Sequence, residues 1–268
     1  MNKMSVVCMM GMCLAILSFA TTSPDKDWEW IRINDKERFD RLWKEYNDPL
    51  QLKAFFESSV LFSRYNEREM ENFKRSFGIK EETLQTMLME IIRETSAKIG
   101  WKWRFDQDEP RDIRIASKQL ENAIAWLVVC ADAGTKQFLM GIATDSTKPE
   151  CYRSEAIYSY MRCADAQEIR DGIARIFSDE VRATSLSDIF YPNVYSGTFT
   201  VYDEAENDPQ KREAIITSLT AALEKEEDKY TFAIADQLLA KRSKEYADSP
   251  KRKAALERMN IPIEKGEQ

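Results

Sequence analysis

Two pairs of tryptophans carry the most distinctive side-chain chemistry of this 268-residue chain. Trp28 and Trp30 form one Trp-x-Trp pair, Trp101 and Trp103 form the other, and Arg104 follows the second pair directly. In an extended chain alternate residues point the same way, so each pair presents two rings on one side. Such rings bind sugars or partner chains by stacking and desolvation, or they close the ends of a helical core. The pattern leaves both interpretations open.

A second aromatic cluster lies at residues 186–203 and contains Tyr191, Tyr195 and Tyr202. This stretch is rich in β-forming residues around a central Ser-Gly pair, which predicts a small β-hairpin or an ordered loop. Tyrosine tolerates partial exposure, so these rings either pack internally or contribute to a partner surface. The predicted ligand-binding or partner-binding residues are Trp101, Trp103, Arg104, Tyr191, Tyr195 and Tyr202.

The chain contains no histidine, which removes the commonest general base, the Ser-His and Cys-His nucleophile pairs and nearly all catalytic zinc sites. It also has no Gly-x-Gly segment of the kind found in phosphate-binding loops. Acidic clusters at 106–112 and 203–208 lie at the predicted starts of two proline-led helices, where carboxylates stabilise a helix N-terminus, and neither has the spacing of a calcium loop. The sequence therefore predicts no catalytic residue, no metal site and no cofactor, and a protein that is not an enzyme.

The first twenty residues have the pattern of a secretory signal peptide. Lys3 is their only charged residue, residues 6–20 are mostly apolar, and Ser18-Phe19-Ala20 fits the small-x-small cleavage rule. The apolar run is shorter than the roughly 20 residues that a membrane-spanning helix needs. The pattern predicts periplasmic or extracellular export after cleavage near Ala20, with an uncleaved membrane anchor as the alternative.

The formal net charge of −7 makes nucleic acid and anionic membranes poor candidate partners. Three cysteines follow the predicted cleavage site. Cys151 and Cys163 lie on one predicted helix, about 18 Å apart at 1.5 Å per residue, so they cannot bridge each other. Cys130 could pair with either of them, or all three could be buried free thiols.

Five prolines share one local context, in which polar residues precede the proline and a helix-forming run follows it. They are Pro49, Pro110, Pro149, Pro209 and Pro250, at intervals of 61, 39, 60 and 41 residues. Proline at the first position of a helix loses no hydrogen bond and pre-sets the backbone. A helix start that recurs about every 40 residues predicts a stack of helical pairs, with inserts of about 20 residues in the two longer intervals.

The stretch 146–178 resembles a HEAT repeat. Pro149 opens a helix with Arg153 and Ala156 in its first turns, and Asp165 opens a second helix after a short turn. The resemblance implies helical hairpins that stack into an α-solenoid.

A similar pattern covers 208–246, where Pro209 is followed by Arg212 and Ala214, but the resemblance is weak over the first hundred residues. HEAT-like proteins are more often binding scaffolds than enzymes, which is what the resemblance implies for function.

The predicted organisation is a signal peptide (1–20), an N-terminal extended segment (21–33), one all-α helical-repeat domain (34–260) and a C-terminal tail (261–268). The residues predicted to form the core are Ile124, Trp126, Leu127, Ile157, Ile173, Ile176, Leu219, Leu223, Ile234 and Leu238.

Three functions are compatible with this organisation. The first is an exported scaffold that binds another macromolecule, in the first place a protein. The second is a glycan-binding or glycan-degrading protein that uses the tryptophans and tyrosines with a pair of carboxylates. The third is a structural envelope protein without a discrete ligand.

Overall fold

The computed structural model describes residue 37 and residues 79–101, 110–130, 132–184 and 190–262. The chain divides into two compact units, Met1–Glu90 and Ile91–Gln268. In the first unit, Glu37 is helical and a longer helix begins at Glu81. The predicted features that lie outside the described residues are the signal peptide, Trp28, Trp30, Pro49, Trp103 and Arg104. The prediction of one domain over 34–260 stays untested, because most of the first unit is not described.

All regular structure in the described residues is helical, which confirms the predicted all-α fold class. The helices are α1 (Glu81–Ile99), α2 (Arg111–Trp126, continued by a 3₁₀ turn, Leu127–Cys130), α3 (Ala133–Thr144), α4 (Glu150–Cys163), α5 (Ala166–Ile176), α6 (Asp179–Thr184), α7 (Phe190–Glu204), α8 (Pro209–Glu224), α9 (Lys229–Arg242), α10 (Lys244–Ala247) and α11 (Pro250–Arg258).

The recurring prolines mark helix starts, as predicted, wherever the structure describes them. Pro110 and Pro149 are the residues directly before α2 and α4, with extended backbone at ψ 137° and 144°. Pro209 and Pro250 are the first residues of α8 and α11. Proline fits these positions because the first turn of a helix has no intrahelical acceptor for its backbone N–H groups.

Aspartates open three further helices. The side chains of Asp132, Asp165 and Asp228 accept hydrogen bonds from backbone N–H groups in the first turns of α3, α5 and α9. At α5 the cap is reciprocal, because Glu168 accepts from the backbone N–H of Asp165 while the Asp165 side chain accepts from that of Glu168. Each cap satisfies donors that the helix itself leaves unpaired, which is worth about 1 kcal/mol.

In the second unit the helices alternate between two layers. Helices α2, α4, α7 and α9 pack in that order in one layer, and α3, α5 and α8 pack in that order in the other. The layers meet where α3 packs on α4, where α7 packs on α8 and where α8 packs on α9. This alternation is what successive helical hairpins produce when each adds one helix to each layer. The HEAT-like solenoid itself stays a prediction.

The core lies between these layers. Eight of the ten predicted core residues are buried, and Ile234 and Leu238 on α9 are half-buried. Gly172 on α5 permits a close approach of neighbouring side chains, because a Cβ atom there would lie 2.5 Å from Cε1 of Tyr160 and 3.1 Å from Cε of Met140. Tyr160 is itself held in place, since its hydroxyl donates to the carbonyl of Glu168 at 2.8 Å.

The predicted β-hairpin or ordered loop at 186–203 is wrong for residues 190–203, which lie in α7. The side chains of Phe190, Val194, Thr198 and Phe199 are buried at helical spacing. Burial of this stripe outweighs the β-propensity of the individual residues, because propensity is decided by packing as much as by residue type. Gly197 lies inside the helix and does not form a turn.

A buried polar network joins the last three helices. Asp236 on α9 is 5% exposed and accepts two hydrogen bonds from Arg252 of α11, at 2.7 and 2.8 Å. It also accepts one from the hydroxyl of Tyr246 on α10, at 2.9 Å. The cavity beside this network has a volume of about 10 Å³, which admits a single water molecule at most. The network therefore holds the C-terminal helices together.

Within the described parts of the chain, no helix combines the length and the apolar character needed to cross a membrane.

Candidate partner-binding surface

The predicted partner-binding residues lie in three different places. Trp101 and Tyr191 are half-buried, at the end of the first layer where α4 and α7 begin. Tyr195 lies in the core and Tyr202 lies at the opposite end of α7. Trp103 and Arg104 lie outside the described residues. The predicted single aromatic surface is therefore divided by the helical structure of α7.

Trp101 is placed by the way α1 ends. Gly100 and Trp101 both have left-handed backbone, with φ values of 62° and 57°. Their N–H groups donate to the carbonyl of Ser96 at 2.8 and 3.3 Å, which closes the helix. For a bulky residue this conformation costs about 1–2 kcal/mol, so the surrounding contacts must offset it. Left-handed residues are common at helix C-termini, but they are usually glycine or asparagine, so a tryptophan at this position is unusual.

Two side chains hold the Trp101 ring. The ring of Tyr152 on α4 meets it edge to face, with centroids 5.8 Å apart. The ammonium group of Lys148 lies 4.9 Å from the Trp101 centroid, within the range of a cation–π contact. The Lys148 side chain is 17% exposed, so part of it still reaches solvent. The half-buried Trp101 ring is therefore held between Tyr152 and the positive charge of Lys148.

Three hydrogen bonds to Asp145 organise the loop that carries Lys148. Asp145 forms an ion pair with Lys148 and accepts from the hydroxyl of Thr147 at 2.6 Å and from its backbone N–H at 3.0 Å. The hydrogen bonds from Lys148 and Thr147 lower the pKa of Asp145 to about 2. The carboxylate is therefore charged at every physiological pH, and it fixes the lysine at the Trp101 ring.

Tyr191, at the start of α7, has surroundings similar to those of Trp101. Its ring packs on Phe177 at 5.2 Å and on Phe190 at 5.1 Å between centroids. The guanidinium carbon of Arg182 lies 5.0 Å from the Tyr191 centroid, and the Arg182 side chain is 21% exposed. Arg182 is oriented by two hydrogen bonds to buried Glu226, at 3.1 and 3.2 Å. Here too an aromatic ring is paired with an oriented cation.

A buried arginine connects the two places. Arg153, in the first turn of α4, lies over the ring of Phe190 at 3.9 Å and donates to the carbonyl of Ala143 at 3.0 Å. Burial lowers the pKa of Arg153. Since the first turn of α4 touches the first residue of α7, Trp101 and Tyr191 lie at the same end of this layer. We call Trp101, Lys148, Arg182 and Tyr191 the Trp101–Tyr191 surface.

Tyr195 and Tyr202 do not belong to this surface. Tyr195 has no exposed area, its ring packs on Phe177 at 5.0 Å, and burial raises the pKa of its hydroxyl. Tyr202 is 8% exposed and donates its hydroxyl to the carbonyl of Arg242 at 3.3 Å. Both were predicted from residue type alone, and in a helix their rings face the neighbouring helices.

The cations of the surface were missed by sequence reasoning. Nothing in their spacing distinguishes Lys148, Arg153 or Arg182 from the other basic residues of the chain. Arg153 was noted only as part of the HEAT-like pattern, and its position over Phe190 depends on a contact between α4 and α7 whose two residues are 37 positions apart in the chain. Contacts between helices, rather than any local motif, bring the cations to the rings.

The cysteines contribute no disulfide to this geometry. Cys130 is a buried free thiol, and Cys151 and Cys163 are half-buried free thiols. Burial raises the pKa of Cys151 to about 12 and that of Cys163 to about 11. Both thiols are therefore protonated at neutral pH, which makes them poor nucleophiles. In the described residues, no three cysteine, aspartate or glutamate side chains are placed to hold a metal ion.

Comparisons of the chain with protein-family models, with curated proteins and with solved structures found no match. The described residues form an all-α fold in which helices alternate between two layers. Aromatic rings and cations lie together at the end of the first layer where α4 and α7 begin.

Proposed function

We propose that this protein is a helical scaffold that binds another macromolecule through the Trp101–Tyr191 surface, and that this macromolecule is a protein. The observation that supports the proposal is Trp101, which is half-buried and is held in a strained left-handed conformation between Lys148 and Tyr152. Tryptophan, tyrosine and arginine are enriched among the few residues that dominate binding energy in protein interfaces, and this surface has one of each together with a lysine.

The surface is suited to binding because its side chains are held in place before a partner arrives. Lys148 is fixed by Asp145 and Arg182 is fixed by Glu226, so little side-chain entropy is lost on association. The half-buried rings lose their remaining water when a partner covers them. We also propose, from the N-terminal pattern, that the chain is exported, which places the partner in the envelope or outside the cell.

Photo-crosslinking in the native host tests the proposal. A photoreactive phenylalanine analogue replaces Trp101 or Tyr191 in turn, and the control replaces Tyr230 on α9, which is 64% exposed and lies outside the surface. We expect adducts with another protein from positions 101 and 191 and none of this kind from position 230. N-terminal sequencing of the purified protein tests export, with a mature terminus near Thr21 as the expected result.

Each other outcome has a defined meaning. Adducts with another protein at position 230 alone would move the binding surface to another face of the protein. Adducts whose mass is carbohydrate would favour the glycan-binding function instead. If neither 101 nor 191 forms an adduct while the variants remain folded by circular dichroism, the proposed surface is wrong.

A further inference from the structure

A second interaction surface is indicated on the outward side of α9. Tyr230 is 64% exposed, and it is one of two large apolar side chains that are exposed in the described part of the chain. Ile234 and Leu238 are half-buried and follow Tyr230 at intervals of four residues, so the three side chains lie on one side of the helix. We call Tyr230, Ile234 and Leu238 the α9 stripe.

The α9 stripe lies at the end of the first layer. Helices α4 and α7 each have a neighbour on both sides in this layer, whereas α9 is the last of its helices in the described part of the chain. Phe232, Ala235 and Leu239 are buried, and the helical period puts them on the side of α9 opposite to the stripe. The stripe is therefore an apolar helix face that points away from the core.

The charges at the two ends of α9 make this face complementary to itself. Glu227 lies three residues before Tyr230, Lys241 lies three residues after Leu238, and both charged residues are exposed. Consider two α9 helices that cross antiparallel at Ile234. Tyr230 of each copy then faces Leu238 of the other. At the ends, Glu227 of each copy faces Lys241 of the other, so both pairs have opposite charges.

The other charges near the two ends do not reverse this pattern. Lys229, at the acidic end, donates to a backbone carbonyl at 3.0 Å, and Arg242, at the basic end, is paired with Asp203. Lys244 and Glu245 are both exposed and have opposite signs, so they offset each other.

We propose that this protein forms a two-fold dimer in which the α9 stripe packs antiparallel on the α9 stripe of a second copy. Both copies use the same surface in such a dimer, so the assembly closes at two chains. A parallel arrangement would place Glu227 on Glu227 and Lys241 on Lys241, and the repulsion between like charges disfavours it. Helix α9 has 14 residues, and one helix pair of this length covers less than the about 1,200 Å² of a standard interface. We therefore expect a weak dimer, with a Kd in the micromolar range.

Sedimentation equilibrium of the whole protein over a series of concentrations tests the proposal. We expect the mass to rise with concentration from one chain to two chains and no further. Tyr230→Ser should weaken the dimer about tenfold or more, because each copy loses a ring that the other copy covers. Ile115→Ser is the matched control, because Ile115 on α2 is the other exposed large apolar residue, at 45% exposure, and lies outside the stripe. Its Kd should equal that of the unmodified protein.

Charge reversal tests the antiparallel arrangement. Glu227→Lys and Lys241→Glu each place like charges at both ends of the interface, so each should weaken the dimer roughly fivefold or more. The double variant restores opposite charges and should dimerise like the unmodified protein. Arg175→Glu, at an exposed position on α5 in the other layer, is the control and should leave the Kd unchanged.

The results that contradict the proposal are equally specific. A single chain at every concentration, or a Tyr230→Ser dimer as tight as the unmodified one, would overturn it. A double charge variant no tighter than the single variants would overturn the antiparallel arrangement. Circular dichroism shows that each variant is folded. Because the interface shares no residue with the Trp101–Tyr191 surface, failure of the dimer leaves the proposed function intact.

Discussion

At the scale of single residues, the packing of this protein depends on glycine at one position where a larger residue would not fit. Gly172 and Gly141 are both helical glycines, but they have opposite surroundings. A Cβ at Gly172 would meet the Tyr160 ring, whereas nothing lies within 4 Å of a Cβ at Gly141. The first glycine therefore serves packing, and the second has no steric reason to be glycine.

The two glycines make a matched pair of alanine substitutions. Gly172→Ala should lower the free energy of unfolding by about 1–2 kcal/mol, because overpacking against Tyr160 exceeds the gain in helix propensity. Gly141→Ala should raise it by up to about 1 kcal/mol, since only the propensity changes. Urea unfolding measures both. A stabilised Gly172→Ala variant would show that α5 does not approach Tyr160 as closely as described.

Asp145 should make stability depend on pH in the acid range. Its folded pKa of about 2 is below the ordinary value of 3.8, so its contribution is complete above pH 4 and is lost as the pH falls through 2. Asp145→Asn removes this contribution. We expect the difference in urea midpoint between the two proteins to be largest at pH 5 and to shrink towards pH 2. A difference that grows on acidification would contradict the assignment.

At the scale of elements, α7 decides how the aromatic residues are used. In a hairpin, tyrosines of residues 190–202 would have been available on an exposed side. In the helix, Tyr195 and Tyr202 are buried, and Tyr191 is half-buried at the end of the layer. Inside the helix the hydroxyls of Thr198 and Thr200 stay hydrogen-bonded, because they donate to the carbonyls of Val194 and Ser196 one turn earlier.

Gly197 distinguishes the helix from the turn. An added Cβ there would make one ordinary contact, 4.0 Å from Cδ2 of Tyr158. In the middle of a helix, Gly197→Ala should therefore raise the free energy of unfolding by about 0.5–1 kcal/mol. In a Ser-Gly turn the same change would be destabilising. Thermal unfolding followed by circular dichroism measures the sign, and a lower melting temperature would argue against α7.

At the scale of the whole molecule, the contact between α5 and α8 is the main internal support of the second layer. Ile173 and Leu219 are 1% and 0% exposed on these two helices. Leu238 on α9 was predicted to be equally buried, but the structure leaves it half-buried. The two classes of residue should therefore respond differently to truncation.

Ile173→Ala and Leu219→Ala should each cost about 2–5 kcal/mol, because each removes buried methyl groups and leaves a cavity. Leu238→Ala should cost clearly less, since solvent already reaches part of the side chain. Urea unfolding at a single temperature compares all three variants. Equal losses for Leu219→Ala and Leu238→Ala would contradict the different burial of the two leucines.

The sequence by itself determined the helical class, the helix starts at Pro110, Pro149, Pro209 and Pro250, and most of the core. These features are local: proline and aspartate act within one turn, and apolar spacing follows the helical period. The tertiary structure decided everything that depends on contacts between helices. Residues 190–203, predicted as a hairpin, form part of the helix α7, because burial of one face of the helix outweighs the β-propensity of the residues. The tertiary structure also placed Lys148 at Trp101, Arg153 at Phe190 and Arg212 at Tyr202, and no local pattern contains such contacts because their partners are distant in the chain.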